Sequence, residues 1–383
     1  MLIITWLVFV SVWRCYYLPP TSRDALSGPE AIAEYAVREH TLINSFFTVD
    51  LWSTNNQFKS PFLISLQLIY KLAGFPFGQI WLSIIFISFT VFLYQALKKK
   101  LHPLIAGLLL LLFVMTPEMY AYSFMILYDY SNMVFFFLGL YFLFEFSLGG
   151  VKGAAGSVAG TVNSVAETVG GIGWPGLLFG IATYIRSETV LLILPLLPVL
   201  WLKMRGNASL KKIALDSLIF LAPSVIAWYL TTELYINHYL PVHYPIGGLI
   251  NTHLSEGHLL FQRYEDIITR LLFCTLGTHL WGYIFYLATF LFLAQLLFVR
   301  RFSREALHWL YAMITFYVLI GALGFVLPMF NLYETTKRAL FKLMPMALFY
   351  LANNEILLRL SRRISQWEEG PARAKPVRAR PKR

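Results

Sequence analysis

Residues 72–97, 271–299 and 306–333 contain no Asp, Glu, Lys or Arg. A helix needs about 20 apolar residues to cross the hydrocarbon core of a bilayer, so each of these runs suffices for one crossing. Shorter uncharged runs fall at 104–117, 130–144, 168–185, 189–202, 217–232 and 343–354. Only 13% of the 383 residues are charged and 58% are hydrophobic, with a mean hydropathy of +0.62. A soluble protein carries roughly 25% charged residues. An ordinary soluble enzyme and a disordered chain are both excluded, and the pattern predicts an all-α polytopic membrane protein in one domain.

The net charge of +11 is concentrated at one end: Arg359 to Arg383 holds nine Lys/Arg against two acids. A basic segment after a membrane helix marks the cytoplasmic side, so the excess points to a leaflet rather than to nucleic acid. Lys98–Lys100, Lys203/Arg205/Lys211/Lys212 and Arg300/Arg301/Arg304 form three further basic clusters. Placing all four on the cytoplasmic side gives about ten transmembrane helices, near 2–18, 79–97, 104–118, 130–147, 173–185, 188–202, 213–236, 280–299, 307–328 and 339–358. Both termini are then cytoplasmic. Residues 1–360 form the membrane domain and 361–383 a basic cytoplasmic tail. The apolar start lacks a basic leader and an Ala-x-Ala site, so it reads as a retained first helix rather than a signal peptide. Cys15 and Cys274 give neither a disulfide framework nor metal-ligand spacing.

Two polar stretches fall on the outer side, 19–78 and 237–279. Both are longer than connectors require, which makes them the places to look for function. A Gly-rich stretch at 149–173 reads as a cytoplasmic linker, and its Gly156-x-x-x-Gly160 spacing is a weak helix-packing signal. In the first outer loop, Pro29 to His40 reads as a helix begun by proline, with Glu30, Glu34 and Arg38 on one face. Asp24 lies just upstream. Asp129, in Tyr128-Asp129-Tyr130-Ser131-Asn132, lies between strongly apolar runs at the outer end. It is either a helix N-cap or a functional carboxylate, since acids near the membrane are costly. Glu118 reads as a cap or a headgroup contact. Lys59, Arg186 and Arg338 form a basic set on the outer face suited to a phosphate. For each singly, lipid headgroup contact is the simpler reading, and for Arg186 a pair with Glu188. His238, His243, His253, His258 and His279 match no tight zinc spacing. No phosphate-binding glycine loop, nucleophile elbow or Asp-x-Asp motif is present.

The order of these features resembles the GT-C superfamily of glycosyltransferases, and within it the branch of the lipid A aminoarabinose transferase and the protein O-mannosyltransferases. The matching stretches are an acidic first outer loop with Tyr35, Lys59-Ser60-Pro61-Phe62-Leu63, Tyr70-Lys71-Leu72-Ala73-Gly74-Phe75, Asp129, Gly176 to Ala182 with Arg186 and Leu194-Pro195, and Lys337-Arg338 to Met344-Pro345. Together they span about residues 1–350. That branch starts its first-loop helix with Asp-Glu, whereas this chain has Gly28-Pro29-Glu30, so either Asp24 or Glu30 stands in for the carboxylate. There is also no large soluble C-terminal domain.

The resemblance implies a GT-C-type bundle with juxtamembrane helices on its outer face. The implied enzyme is an inverting hexosyl- or pentosyltransferase acting on a polyprenyl-phosphate sugar. For a bacterial source the donor lipid is undecaprenyl phosphate, the location the inner membrane and the site periplasmic. Asp24 or Glu30 would be the general base, and Asp129 would orient the acceptor or share a metal or hydrogen-bond network. Lys59, Arg186 and Arg338 would hold the donor phosphate. The acceptor is a lipid, glycan or protein, and a divalent metal stays open. Two alternatives remain: a flippase for a lipid-linked sugar, which needs its acids at mid-membrane, and an assembly subunit without a site. Nucleic acid is not an expected partner.

Overall fold

The computed structural model describes residues 2–48, 59–75, 78–145, 172–204, 209–241, 257–326 and 334–369. Among them every regular element is helical. The Gly-rich stretch lies almost wholly outside these residues, as do His243 and His253.

The chain begins with α1 (Leu2–Tyr17), then the short α2 (Arg23–Leu26), α3 (Pro29–Glu39) and α4 (Phe62–Leu72). There follow α5 (Ile80–Lys98), α6 (Pro103–Val114), α7 (Pro117–Tyr122) and α8 (Tyr128–Glu145). Next come α9 (Gly173–Ile185), α10 (Thr189–Met204) and α11 (Leu210–Tyr239). The last group is α12 (Gly257–Leu276), α13 (Thr278–Trp281), α14 (Ile284–Val299), α15 (Arg304–Val326), α16 (Glu334–Leu340), α17 (Leu343–Ala352) and α18 (Glu355–Glu369).

Among the described residues three helices are long and apolar enough to cross a membrane: Ile80–Lys98, Leu210–Tyr239 and Arg304–Gly324. Five more are apolar but shorter: Leu2–Tyr17, Phe62–Leu72, Pro103–Val114, Thr189–Met204 and Ile284–Val299. Large apolar side chains stand exposed along α1 (Trp6, Phe9), α11 (Leu218, Ile226), α14 (Phe290, Leu293) and α15 (Ile314, Val318). Such a surface is far more apolar than a water-facing monomer tolerates, and it is compatible with a membrane protein.

α8 and α17 are the inner helices. Every residue of α17 is buried, and α8 is buried on nearly all sides, as expected of helices apolar all round. Phe136 and Phe137 of α8 pack on Phe179, Phe316, Trp309 and Phe349, with ring centroids 5.1 to 5.5 Å apart. Close approach at α9 is set by small residues. A Cβ on Gly180 would meet Pro223 of α11 at 2.7 Å, and one on Gly176 would meet the Phe220 carbonyl at 2.9 Å. Gly139 of α8 gives the same room to the ring of Phe179. The small-x-x-x-small spacing that packs helices is therefore Gly176/Gly180. Gly156 and Gly160 lie outside the described residues.

The hydropathy pattern predicts one last helix over 339–358, and here the chain differs. It breaks at Phe341–Lys342 and again at Asn353–Asn354. The second break is held by side chains. Asn354 Oδ1 accepts from the Ile356 amide at 3.0 Å, and Asn353 Nδ2 donates to the Phe349 carbonyl at 2.8 Å.

Overpacking a tight helix crossing costs about 1–3 kcal/mol. Gly180→Val should therefore lower the unfolding midpoint of the purified protein by several degrees. Gly107→Ala, which has open space beside it, should leave it unchanged; equal behaviour of the two variants would contradict the packing described.

Candidate functional site

Each charged residue that the sequence reading assigns to the outer face is placed by a distinct local device. Asp24 sits in the first turn of α2, whose start is capped by Ser22 Oγ accepting from the Ala25 amide at 3.3 Å. Lys59 precedes the Ser60-Pro61 turn into α4, where Ser60 Oγ accepts from the Phe62 amide at 3.2 Å. Tyr128 fixes this turn from α8, donating its hydroxyl to the Ser60 carbonyl at 2.8 Å, and the Lys59 ammonium lies 5.7 Å from the Tyr128 ring centre. Asp129 follows in the first turn of α8, buried. Arg186 ends α9, its amide bonded to the Ala182 carbonyl at 3.0 Å. Asn132 of α8 clamps that end, donating to the Ala182 carbonyl at 2.6 Å and to Thr189 Oγ1 at 2.9 Å. Arg338 comes from α16, far along the chain.

These elements bring the charges together. Arg186 pairs with Asp129 and, through Nε, with Glu188 at 2.5 Å. Arg338 Nη1 pairs with Asp24 at 2.6 Å. Asp24, Lys59, Asp129, Arg186, Glu188 and Arg338 all line one cavity of about 100 Å³. Asp24 and Arg338 also line a second cavity of about 220 Å³, together with Arg23, Glu118, Tyr122 and Lys337. Glu118 pairs there with Lys337 at 3.5 Å. Arg338 Nε is buried and finds no acceptor among the described residues. A buried donor left unmet is unusual in a finished interior and suits a ligand oxygen.

Burial of the Lys59 ammonium, partly offset by the Asp24 carboxylate and reinforced by the nearby Arg186 and Arg338, pushes it down to about 8. It is therefore cationic at neutral pH and loses its charge as pH rises through that value.

Glu30 goes elsewhere. It pairs with Lys71 of α4 at 2.7 Å, as Glu34 does at 3.0 Å, and Glu34 also meets Arg38 at 3.0 Å. The pairing with Lys71 holds the Glu34 carboxyl below its usual range. This triad ties α3 to α4, and only Pro29 of that segment lines the cavity. Of the two carboxylates that the sequence leaves as alternatives, Asp24 is the one at the cavity.

One charged residue escapes a reading of the sequence. Lys342, buried at the break between α16 and α17, interacts electrostatically with Arg186, Glu188 and Asp129. A lysine inside an otherwise apolar late segment was the available signal, because intramembrane charges mark function by default. With it the assembly holds four cations (Lys59, Arg186, Arg338, Lys342) against three carboxylates (Asp24, Asp129, Glu188). Three of these cations and all three carboxylates line the cavity, and Lys342 lies outside its lining. Beside Lys342, Leu343 belongs to an apolar groove of about 330 Å³ between α14, α15 and α17, lined by Phe285, Phe292, Met313 and Tyr317. Among the described residues no group of three or more His, Cys, Asp or Glu is placed to hold a metal.

No family model, no curated protein and no solved structure matches this chain.

Removing one partner of a buried pair leaves a naked charge and costs about 3–5 kcal/mol. Arg186→Met should therefore destabilise the fold strongly in thermal unfolding, and adding Asp129→Asn should recover much of the loss. An Arg186→Met protein as stable as the parent would mean that Asp129 is not held as described.

Proposed function

We propose that the chain is an integral membrane glycosyltransferase that moves a sugar from a polyprenyl phosphate to an acceptor, with inversion. The observation that carries this reading is a cavity where three cations meet three carboxylates, together with an apolar groove lined by Leu343, the residue after buried Lys342. A lipid phosphate has that duality: an anionic head and a long hydrocarbon tail. The fold is read as ten crossings by α1, α5, α6, α8, α9, α10, α11, α14, α15 and α17. The pocket then faces outward and both termini are cytoplasmic. The GT-C likeness in the order of motifs supports the same reading.

The chemistry follows from charge. The donor is a phosphodiester with one negative charge. As an acceptor hydroxyl attacks the anomeric carbon, the bond from that carbon to the phosphate oxygen breaks, and its electron pair leaves with the phosphate. The hydroxyl proton passes to a carboxylate. The leaving phosphomonoester gains a second negative charge, and cations already in place stabilise charge as it builds. Lys59, Arg186 and Arg338 take this role, with Lys342 behind them. Asp24 is the base: it lines both cavities, so one carboxylate faces a donor on one side and an acceptor on the other. A phosphate entering the pocket competes for the Arg338 guanidinium, which loosens its hold on Asp24 and leaves the carboxylate a better proton acceptor. Asp129 holds Arg186 in place.

The charged residues of α8 bear on the flippase alternative. Asp129 and Glu145 lie at opposite ends of α8, about 24 Å apart at 1.5 Å per residue. The acids thus sit at the ends of this helix rather than at its middle, which favours transfer over transport.

The test is release of polyprenyl phosphate by the full chain in lipid nanodiscs, given a panel of polyprenyl-phosphate sugars and envelope extract as acceptor. Asp24→Asn and Asp129→Asn should each reduce release by about a hundredfold, within the roughly 10²–10⁴ of acid–base groups, while Glu30→Gln should retain it. Parent-level release in both Asp variants would remove these residues from the mechanism. Donor affinity should fall as pH rises through about 8, where Lys59 deprotonates. Lys59→Arg, whose guanidinium stays charged, should flatten that profile, and an unchanged profile would take Lys59 out of the phosphate site.

A further inference from the structure

At the other end of α8 the bundle carries a second set of charges. Lys100 pairs with Glu145 at 2.6 Å and bonds Asn353 Oδ1 at 2.6 Å. Trp309 Nε1 donates to Glu145 at 2.9 Å, and Lys203 donates to the Phe144 carbonyl at 2.8 Å. Lys98, Lys99, Arg300, Arg301 and Arg304 cluster near these residues in the chain. α17 ends at this level, and α18 departs from it.

α18 is strongly two-sided. Successive residues turn by about 100°, so Ile356, Leu360 and Trp367 fall in one narrow stripe. Leu360 is 46% exposed and Trp367 is 82% exposed. Arg363, Arg359 and Arg362 follow in turn on one side of this stripe, all three exposed, and Arg359 and Arg362 pair with Glu355 at 3.3 and 3.0 Å. The opposite flank is held to the bundle. Ser361 is buried, and its Oγ accepts from the His102 amide at 2.6 Å; the His102 ring meets Glu368 at 2.9 Å. The helix also packs on the end of α14, where Phe298 is 83% exposed. The orientation of α18 is thus fixed at its start by Asn354 and along its length by His102. An exposed Trp–Leu stripe edged by arginine is not what a water-facing helix presents. It is the composition of a helix lying in a membrane interface, where tryptophan sits at headgroup depth and arginine above it.

We propose that α18 is an interfacial helix that lies along the leaflet at the Lys100 end of the bundle, with Leu360 and Trp367 in the outermost acyl region and Arg359, Arg362 and Arg363 on anionic headgroups. α18 carries three arginines against three glutamates, of which Glu368 is turned to His102; the six further Lys/Arg that follow in sequence at 373–383 make the segment cationic, which selects an anionic lipid as occupant rather than a protein partner. Such an anchor would fix α17, and with it Lys342, against the bilayer. The inference rests on the membrane reading alone and stands whether or not the chain transfers a sugar.

The experiment uses the full chain in nanodiscs of phosphatidylcholine, with or without phosphatidylglycerol. Cys15 and Cys274 are replaced, and a nitroxide is placed by Leu360→Cys, Trp367→Cys or Arg362→Cys. Collision with oxygen, which concentrates in lipid, is compared with collision with a water-soluble nickel chelate. Labels at 360 and 367 should favour oxygen and the label at 362 the chelate. Adding phosphatidylglycerol should slow the label at 367, and replacing the three arginines together with the six Lys/Arg at 373–383 by glutamine should abolish that slowing. Chelate access at 360 and 367 equal to that at 362 would overturn the proposal, and so would a label at 367 indifferent to phosphatidylglycerol. Should Trp367→Cys itself loosen the helix, the label at 360 with Trp367 retained gives the same reading.

Discussion

Buried Asp129 and partly buried Arg186 form an ion pair at the end of an inner helix, and the geometry of the site hangs on it. Two charges withdrawn from water lose several kcal/mol of solvation each, and only close pairing with further hydrogen bonds offsets that loss. The fold meets this condition. Glu188 supplies a second carboxylate to Arg186, and Asn132 fixes the strand of backbone on which Arg186 stands. An apolar replacement would serve stability as well or better. A network of this cost, kept where apolar packing would serve, is what makes this cavity the candidate site.

The surrounding architecture keeps that network rigid. Gly176 and Gly180 let α9 lie against α11 at backbone distance, so Arg186 leaves a helix that has little room to shift. Tyr128 ties the Lys59 turn to α8. Arg338 crosses to Asp24 and so joins the beginning and the end of the chain. At the far end, the Lys100–Glu145 pair and Asn353 close the bundle in a comparable way. The acids of α8 lie at its two ends and aromatic packing fills its middle, a distribution compatible with a membrane protein.

Much of the helical layout is legible in the sequence, because apolar runs and their boundaries are local signals. The segment at 173–185 is a helix with those bounds, and Pro29 starts a helix as its position predicts. The site was legible in its members and not in its pairings. Asp24 and Arg338 are 314 positions apart, and nothing local links them. Glu30 and Asp24 look equivalent by spacing; Lys71 separates them, because it reaches Glu30 from α4. Lys342 was overlooked because it stands beside the more conspicuous Lys337–Arg338. The breaks around α17 were likewise hidden, since hydropathy averages over Asn353 and Asn354, whose side chains end the helix.

The central claim is that the pocket recognises a lipid through its phosphate. It is tested most directly by weighing the intact protein in native mass spectrometry after incubation with polyprenyl phosphate or with the same polyprenol lacking phosphate. The phosphate form should be retained and the alcohol not, and retention should be lost in Arg338→Gln. Equal retention of both lipids, or of the phosphate form by Arg338→Gln, would contradict it.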